Sequence, residues 1–167
     1  MQESKVKAEE VLKRSISDIL REIETELNYK MKEFNDSLFS TARKPPYIHF
    51  NKHDSYKFET PDDTGTGSNY KVMSIFDLAV LYLTALPAIA HDSLLFKNLE
   101  KGVEDGIMKI YNASEKQVFI AYVKQGDCRV ETQKILEECC ILKLSNRGHE
   151  LYGRSWNEEV QNVENEL

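Results

Sequence analysis

Leu86-Pro87-Ala88-Ile89-Ala90-His91-Asp92-Ser93 is a short apolar run that ends in a carboxylate. Ala88 to Ala90 is apolar without alternation, as is Val118 to Tyr122 further on, and this pattern predicts central strands covered on both faces. Between them, about Leu99 to Tyr111 reads as a helix, and another follows at Val130 to Cys139. Strands alternating with helices from Ala88 onward are the sequence form of a parallel α/β sheet. Ile141 to Leu144 and Glu150 to Tyr152 read as closing strands, with Asn146-Arg147-Gly148 as their turn.

Upstream of the run, a helix is expected from about Asn69 to Thr84, opened by Asp63-Thr64-Gly65-Thr66-Gly67-Ser68-Asn69. A glycine-rich turn running into a helix N-terminus presents backbone N–H groups and the positive end of the dipole, which suits an anion. It is equally a plain helix start, with Ser68 or Thr66 capping the first turn. The stretch lacks the lysine and spacing of a phosphate loop, and no apolar strand leads into it as a dinucleotide fingerprint requires. Asp63-Thr64-Gly65-Thr66 also has the letters of an aspartic-protease loop, but there is no second copy to supply the paired carboxylate.

Before this lie two aromatic-rich segments, Tyr47 to Phe50 and Tyr56 to Phe58, which read as a hairpin turning at Asn51 to Ser55. Lys44-Pro45-Pro46 separates them from a helix over Lys5 to Leu38. Leu12, Ile16, Ile19, Ile23, Leu27, Met31, Phe34 and Leu38 form one apolar stripe along it, with charge on the other faces. Such a helix either folds back on its own domain or forms the base of a coiled-coil arm; its length and charge favour the arm. The expected organisation is therefore a long helix over 1–44, an α/β lobe over 45–156 and an acidic tail over 157–167.

The 167 residues carry a net charge of -6, which argues against non-specific phosphate binding as the main activity. The longest apolar run, Leu78 to Ala90, is too short to cross a bilayer. The charged N-terminus has no signal-type stretch, and Cys128, Cys139 and Cys140 form no disulfide or zinc frame, which together fit a reducing cytoplasm.

An aspartate at the carboxyl end of a parallel strand lies where α/β proteins bind ligands, although many such residues only cap the next helix. His91, Asp92 and Ser93 include the three residue types of a hydrolase triad, but neighbours on one strand end point apart and cannot form its relay. In order and spacing, this region resembles the C-terminal lobe of ABC-type ATPase heads of the SMC and RecN kind. It is especially similar to an uncharacterised bacterial family of coiled-coil ATPases related to them.

The resemblance runs from about Val11 to Trp156 and implies half of a P-loop NTPase head with a largely parallel sheet, preceded by a coiled-coil helix. By that resemblance, Gly65, Thr66, Gly67, Ser68 and Asn69 form the signature loop. Asp92 is the Walker B aspartate holding Mg²⁺, and Ser93 stands where a catalytic glutamate is usual. Asn98 falls in the D-loop, and Lys124, followed by Gln125, stands where a histidine switch is common. Lys124 either neutralises phosphate or is a surface lysine. The signature lacks the usual Leu-Ser-Gly-Gly lettering. A serine hydroxyl orients water but is a poor base at neutral pH.

The resemblance further implies ATP and Mg²⁺ bound between two heads, with the phosphate loop supplied by another polypeptide or an upstream segment. The implied partners are that N-terminal half, a second head, a coiled-coil helix and DNA through the complex, with no membrane. The chain is not expected to hydrolyse ATP alone. Two alternatives remain: a non-catalytic interaction module with a structural α/β body, and a small stand-alone hydrolase using Asp92 and Ser93.

Overall fold

The computed structural model describes residues 2–39, 43–61, 65–123, 125–145 and 149–153. It divides into a unit spanning 1–135 and a second of 136–167. Helix α1, Gln2–Leu38, spans 37 residues, about 55 Å at the α-helical rise. Its apolar stripe divides in two. Leu27, Met31, Phe34 and Leu38 are buried, whereas Leu12 and Ile19 are 59% and 55% exposed. The buried half packs on helix α2 (Thr66–Leu83), strand β1 (Tyr47–Lys52) and helix α3 (Lys101–Asn112). Phe34 meets Tyr82 edge-on, with ring centroids 5.3 Å apart.

Strand β2, Ser55–Glu59, pairs antiparallel with β1, Ile48 facing Phe58, and the register slips between Phe50 and Lys52. The other edge of β1 is covered by side chains of α1. Asn28 donates to the Ile48 carbonyl and accepts from the Ile48 N–H, both at 2.8 Å, as another strand would. One turn earlier, Glu24 accepts from Phe50 N–H at 2.8 Å and lies 3.1 Å from His49 Nδ1. Burial works to raise the Glu24 pKa, but the bonds from Phe50 and His49 outweigh it and hold the carboxyl below its ordinary value.

Strand β3, Ala88–His91, pairs parallel with β4, Gln117–Ile120, Ala90 facing Phe119 and His91 facing Ile120. Among the described residues, the strands thus form one antiparallel and one parallel pair, not a largely parallel sheet. Ile89 and His91 turn toward the helices, while Ala90 and Phe119 are exposed, Phe119 by 49%. Coverage on both faces is the expectation, yet the described residues of this unit place a helical layer on one face and leave Ala90 and Phe119 exposed on the other.

The remaining connections are held by polar ties. Lys116, just before β4, donates to the Leu81 and Thr84 carbonyls at 2.5 Å each, satisfying the C-terminal end of α2. Gly106 lets α3 approach α1, since a Cβ there would stand 2.5 Å from Leu38 Cδ2. Helix α4 spans Val130–Glu138.

In the second unit the two expected closing strands are absent: residues 141–144 and 150–152 have no strand pairing. Ile141, Leu142 and Leu144 are exposed, and an apolar run becomes a strand only where a partner edge meets it. Glu150 to Gly153 form a turn, closed by Gly153 N–H to Glu150 O at 2.9 Å, with Gly153 at φ 69°. The expected turn at Asn146 to Gly148 and the acidic tail lie outside the described residues.

Asn28→Ala leaves both backbone groups of Ile48 without their partner and is expected to cost about 1–3 kcal/mol in urea unfolding. Glu24 contributes stability above its unfolded-state pKa, and that contribution is lost as pH falls through its lowered folded-state pKa. Glu24→Gln should therefore flatten the acid limb of the stability profile.

Candidate functional site

The connection from α2 to β3 is short, so the helix and strand run back to back. The N-terminus of α2 consequently lies toward the carboxyl end of β3. Helix α2 begins at Thr66, earlier than the Asn69 start read from sequence, and its N-cap is Gly65 at φ -69° and ψ 142°. A glycine cap has no side chain to spend on the first turn, so the expected cap by Ser68 or Thr66 is replaced by backbone alone. Asn69 N–H reaches Gly65 O at 3.1 Å, and the N–H groups of the residues between have no carbonyl within the helix to bond. Gly65, Thr66, Gly67, Ser68 and Asn69 are thus the cap and first turn of α2. Asp63 and Thr64 lie outside the described residues.

Asp92 leaves the end of β3 exposed and in extended conformation, φ -88° and ψ 156°. It caps a one-turn 3-10 helix, Ser93–Leu95. Its Oδ1 accepts from Ser93 Oγ at 2.8 Å and from Leu94 N–H at 3.4 Å. The Ser93 hydroxyl, followed by the Leu94 amide, holds the Asp92 carboxyl below its ordinary pKa. Asp92 therefore is a helix cap and also presents an ionised carboxylate at the sheet's carboxyl edge. Magnesium takes hard oxygen ligands, uses few protein carboxylates and keeps water and phosphate oxygens, so Asp92 fits as one such ligand. Among the described residues, no group of three or more His, Cys, Asp or Glu side chains is placed to hold a metal.

Asp92 and the glycine turn do not share one small pocket. The side chain on α2 that reaches the end of β3 is Asp77, about 16 Å along the helix from Thr66. Asn98 is exposed in the loop between the 3-10 turn and α3. Lys124 lies outside the described residues.

The sequence reading missed a polar chain behind Asp92, in which His91 and Tyr111 are buried and Asp77 is half-exposed. His91 turns inward; its Nε2 is 3.0 Å from Asp77 Oδ2 and its Nδ1 is 2.5 Å from the Tyr111 hydroxyl. Burial, followed by the Asp77 charge, raises the Tyr111 pKa well above its ordinary value, although Ser74 opposes this. His91 and Asp92 point apart, which removes the triad as a relay. The available signal was a polar residue at a helix position flanked by apolar ones, Asp77 within Ile75-Phe76-Asp77-Leu78-Ala79. It becomes meaningful only once β3 is known to end beside it.

A second polar cluster braces α3. The Tyr122 hydroxyl donates to the buried Glu104 carboxylate and lies 2.8 Å from Cys128 Sγ, while Thr132 donates to the buried Asp105. Burial first, then the Cys128 and Glu104 contacts, raises the Tyr122 pKa far above its ordinary value. None of the three cysteines is in a disulfide.

Elsewhere, α1 and the β1–β2 hairpin enclose a groove of about 660 Å³, lined by residues including Leu12, Ile16, Leu20, Phe50 and Lys52; neither Asp92 nor Ser93 lines it. No described helix is long and apolar enough to cross a membrane.

Comparison with known proteins places this geometry in context. A family model described as an uncharacterised protein conserved in bacteria (DUF2326) matches residues 14–154. No curated protein sequence matches. Among solved structures, the fold is similar to a chain from work on the structural biochemistry of ATP-driven dimerization and DNA-stimulated activation of SMC ATPases. That similarity has a TM-score of 0.53 at 11% identity, covering 71% of this chain and 76% of the other. At this identity the likeness is one of fold, and a distant one.

Tyr122→Phe leaves the buried Glu104 carboxylate without its hydroxyl partner. The expected loss is roughly 1.5–3 kcal/mol in chemical denaturation.

Proposed function

The chain belongs to this bacterial family (DUF2326), and from that premise we propose that it is the C-terminal half of an SMC-like ATPase head. One observation carries the reading: a helix opened by a glycine cap leads back to a parallel strand that ends in an ionised, exposed aspartate. The distant fold similarity to an SMC ATPase supports the same assignment.

In this proposal, Asp92 binds within the Mg²⁺ shell of a nucleotide held by its own head. When bound, Mg²⁺ would supply charge neutralisation on the nucleotide's phosphates, with Asp92 as one of its oxygen ligands. Ser93, whose hydroxyl proton is directed at Asp92, presents oxygen lone pairs that can orient a water. The first-turn N–H groups after Gly65 and the Ser68 hydroxyl face a second head and bind the γ-phosphate of its nucleotide. Asn98 lines the route between the two sites. The phosphate loop comes from an N-terminal half, on another polypeptide or upstream segment, and that half adds strands to the open edges of β3–β4.

The exposed half of the α1 stripe takes a coiled-coil partner helix, and the assembled complex acts in DNA maintenance or defence. The competing reading, a non-catalytic interaction module, draws on the same stripe without the nucleotide.

The 167-residue chain alone is expected to show no ATP turnover above background. Combined with its phosphate-loop half, it should hydrolyse ATP, and Asp92→Ala should lower that rate on the order of 100-fold. Robust turnover by the chain alone would contradict the shared-site proposal; a native partner without a phosphate loop would favour the interaction module. Ile19→Lys, on the exposed stripe, should weaken partner-helix association in sedimentation while leaving the thermal unfolding midpoint of the chain near wild type.

A further inference from the structure

Asp92 has no long-range hydrogen bond of its own among the described residues. Its side chain bonds Ser93 and Leu94, and its carbonyl bonds Leu95 N–H at 3.1 Å, all within three residues. Local bonds of this kind shape the 3-10 turn but do not fix where it stands relative to the sheet and helices.

The neighbours on either side are anchored differently. His91 is buried, its carbonyl accepts from Ala121 N–H at 2.9 Å, and its ring spans α2 and α3 through Asp77 and Tyr111. Beyond the turn, Phe96 is buried edge-on against the same Tyr111, with centroids 6.3 Å apart, and also packs on Tyr122. Tyr111 therefore grips the chain on both sides of Asp92, once by hydrogen bond and once by ring contact.

The chemistry of the partners sets the ring's state. The two ring nitrogens face different partners, Nε2 the Asp77 carboxylate and Nδ1 the Tyr111 hydroxyl. The Nε2–H tautomer satisfies both, donating to Asp77 and accepting from Tyr111. Asp77 thus fixes the tautomer, and Tyr111 fixes the rotation about the remaining bond. A buried imidazole held at both nitrogens cannot turn without breaking one of these bonds, and strand alternation then aims the next residue off the opposite face.

We propose that His91, held between Asp77 and Tyr111, is the positioning residue for Asp92, orienting its carboxylate toward the bound divalent cation without itself touching nucleotide or metal. This rests on the reading of Asp92 given above. It has a further consequence: Asp77 lies on the helix whose first turn is the glycine motif, so the same tie sets the spacing between the two candidate nucleotide contacts.

The test uses near-isosteric changes, Asp77→Asn and Tyr111→Phe, beside His91→Phe and Asp92→Ala. In the chain alone, the ¹⁵N spectrum of the histidine rings should show His91 with its proton on Nε2, and Tyr111→Phe should displace its Nδ1 signal. A wild-type ring protonated only on Nδ1 would overturn the arrangement. In the complex with the phosphate-loop half, ATP binding is titrated with Mg²⁺. Asp77→Asn, Tyr111→Phe and His91→Phe should each raise the Mg²⁺ concentration needed for half-maximal binding on the order of 10-fold, the scale of outer-shell effects at metal sites. ATP affinity without Mg²⁺ should stay within about twofold, a split that general loss of structure would not produce. If Asp92→Ala shifts the Mg²⁺ requirement and the Asp77, Tyr111 and His91 variants do not, the positioning role is wrong while the role of Asp92 stands. If Asp92→Ala shifts nothing, the assignment of Asp92 itself fails, and the positioning role with it.

Discussion

A parallel pair of strands does not complete itself. Parallel ladders occur almost only with helices on both faces. Strands β3 and β4 have a helical layer on one face, an exposed Phe119 on the other, and no third strand among the described residues. Much of what distinguishes this fold follows from that incompleteness. The helices must fix the strand ends without help from a wider sheet, and the strand ends are where Asp92 and the segment after β4 emerge.

The fixing is done largely by polar side chains. Asp77, Glu104 and Asp105 sit on α2 and α3, and each meets a partner from the strand ends or from the start of α4: His91, Tyr122 and Thr132 respectively. Glu104 and Asp105 are buried carboxylates, and at the third tie the buried partner is His91; polar groups in such places are costly unless bonded, so each tie penalises any other docking of helix on strand. At the opposite end, Lys116 does the same for the last carbonyls of α2. The hairpin follows the same logic, since Asn28 and Glu24 substitute for a missing strand along β1. Apolar packing of α1 against α2 gives the unit its core, and these directional bonds give it one register.

The elements with strong periodicity were legible. The stripe of α1, the aromatic hairpin, and the order of α2, β3, α3, β4 and α4 all follow from apolar spacing and from the break at Pro45 and Pro46. The closing strands were misread because Ile141, Leu142 and Leu144 look like a strand but meet no edge. The start of α2 was placed late because glycine reads as loop, whereas here Gly65 is the cap. For the site, Asp92 at the end of an apolar run could be picked out, but its supports could not. Asp77, His91 and Tyr111 are far apart in sequence, and nothing local marks them as neighbours. The division of the α1 stripe into buried and exposed halves was equally hidden, since periodicity does not reveal where along a helix the packing ends.

The central claim is that the glycine turn serves a nucleotide whose metal is held by Asp92 of a different head. The most direct measurement is the distance from Mn²⁺, replacing Mg²⁺, to a nitroxide at Ser68→Cys, with Cys128, Cys139 and Cys140 replaced by serine. Pulsed electron resonance on the complex with its phosphate-loop half should show a short metal-to-label distance that appears only when ATP joins two heads. A single distance, unchanged between separated heads and the ATP-bound assembly, would contradict the account.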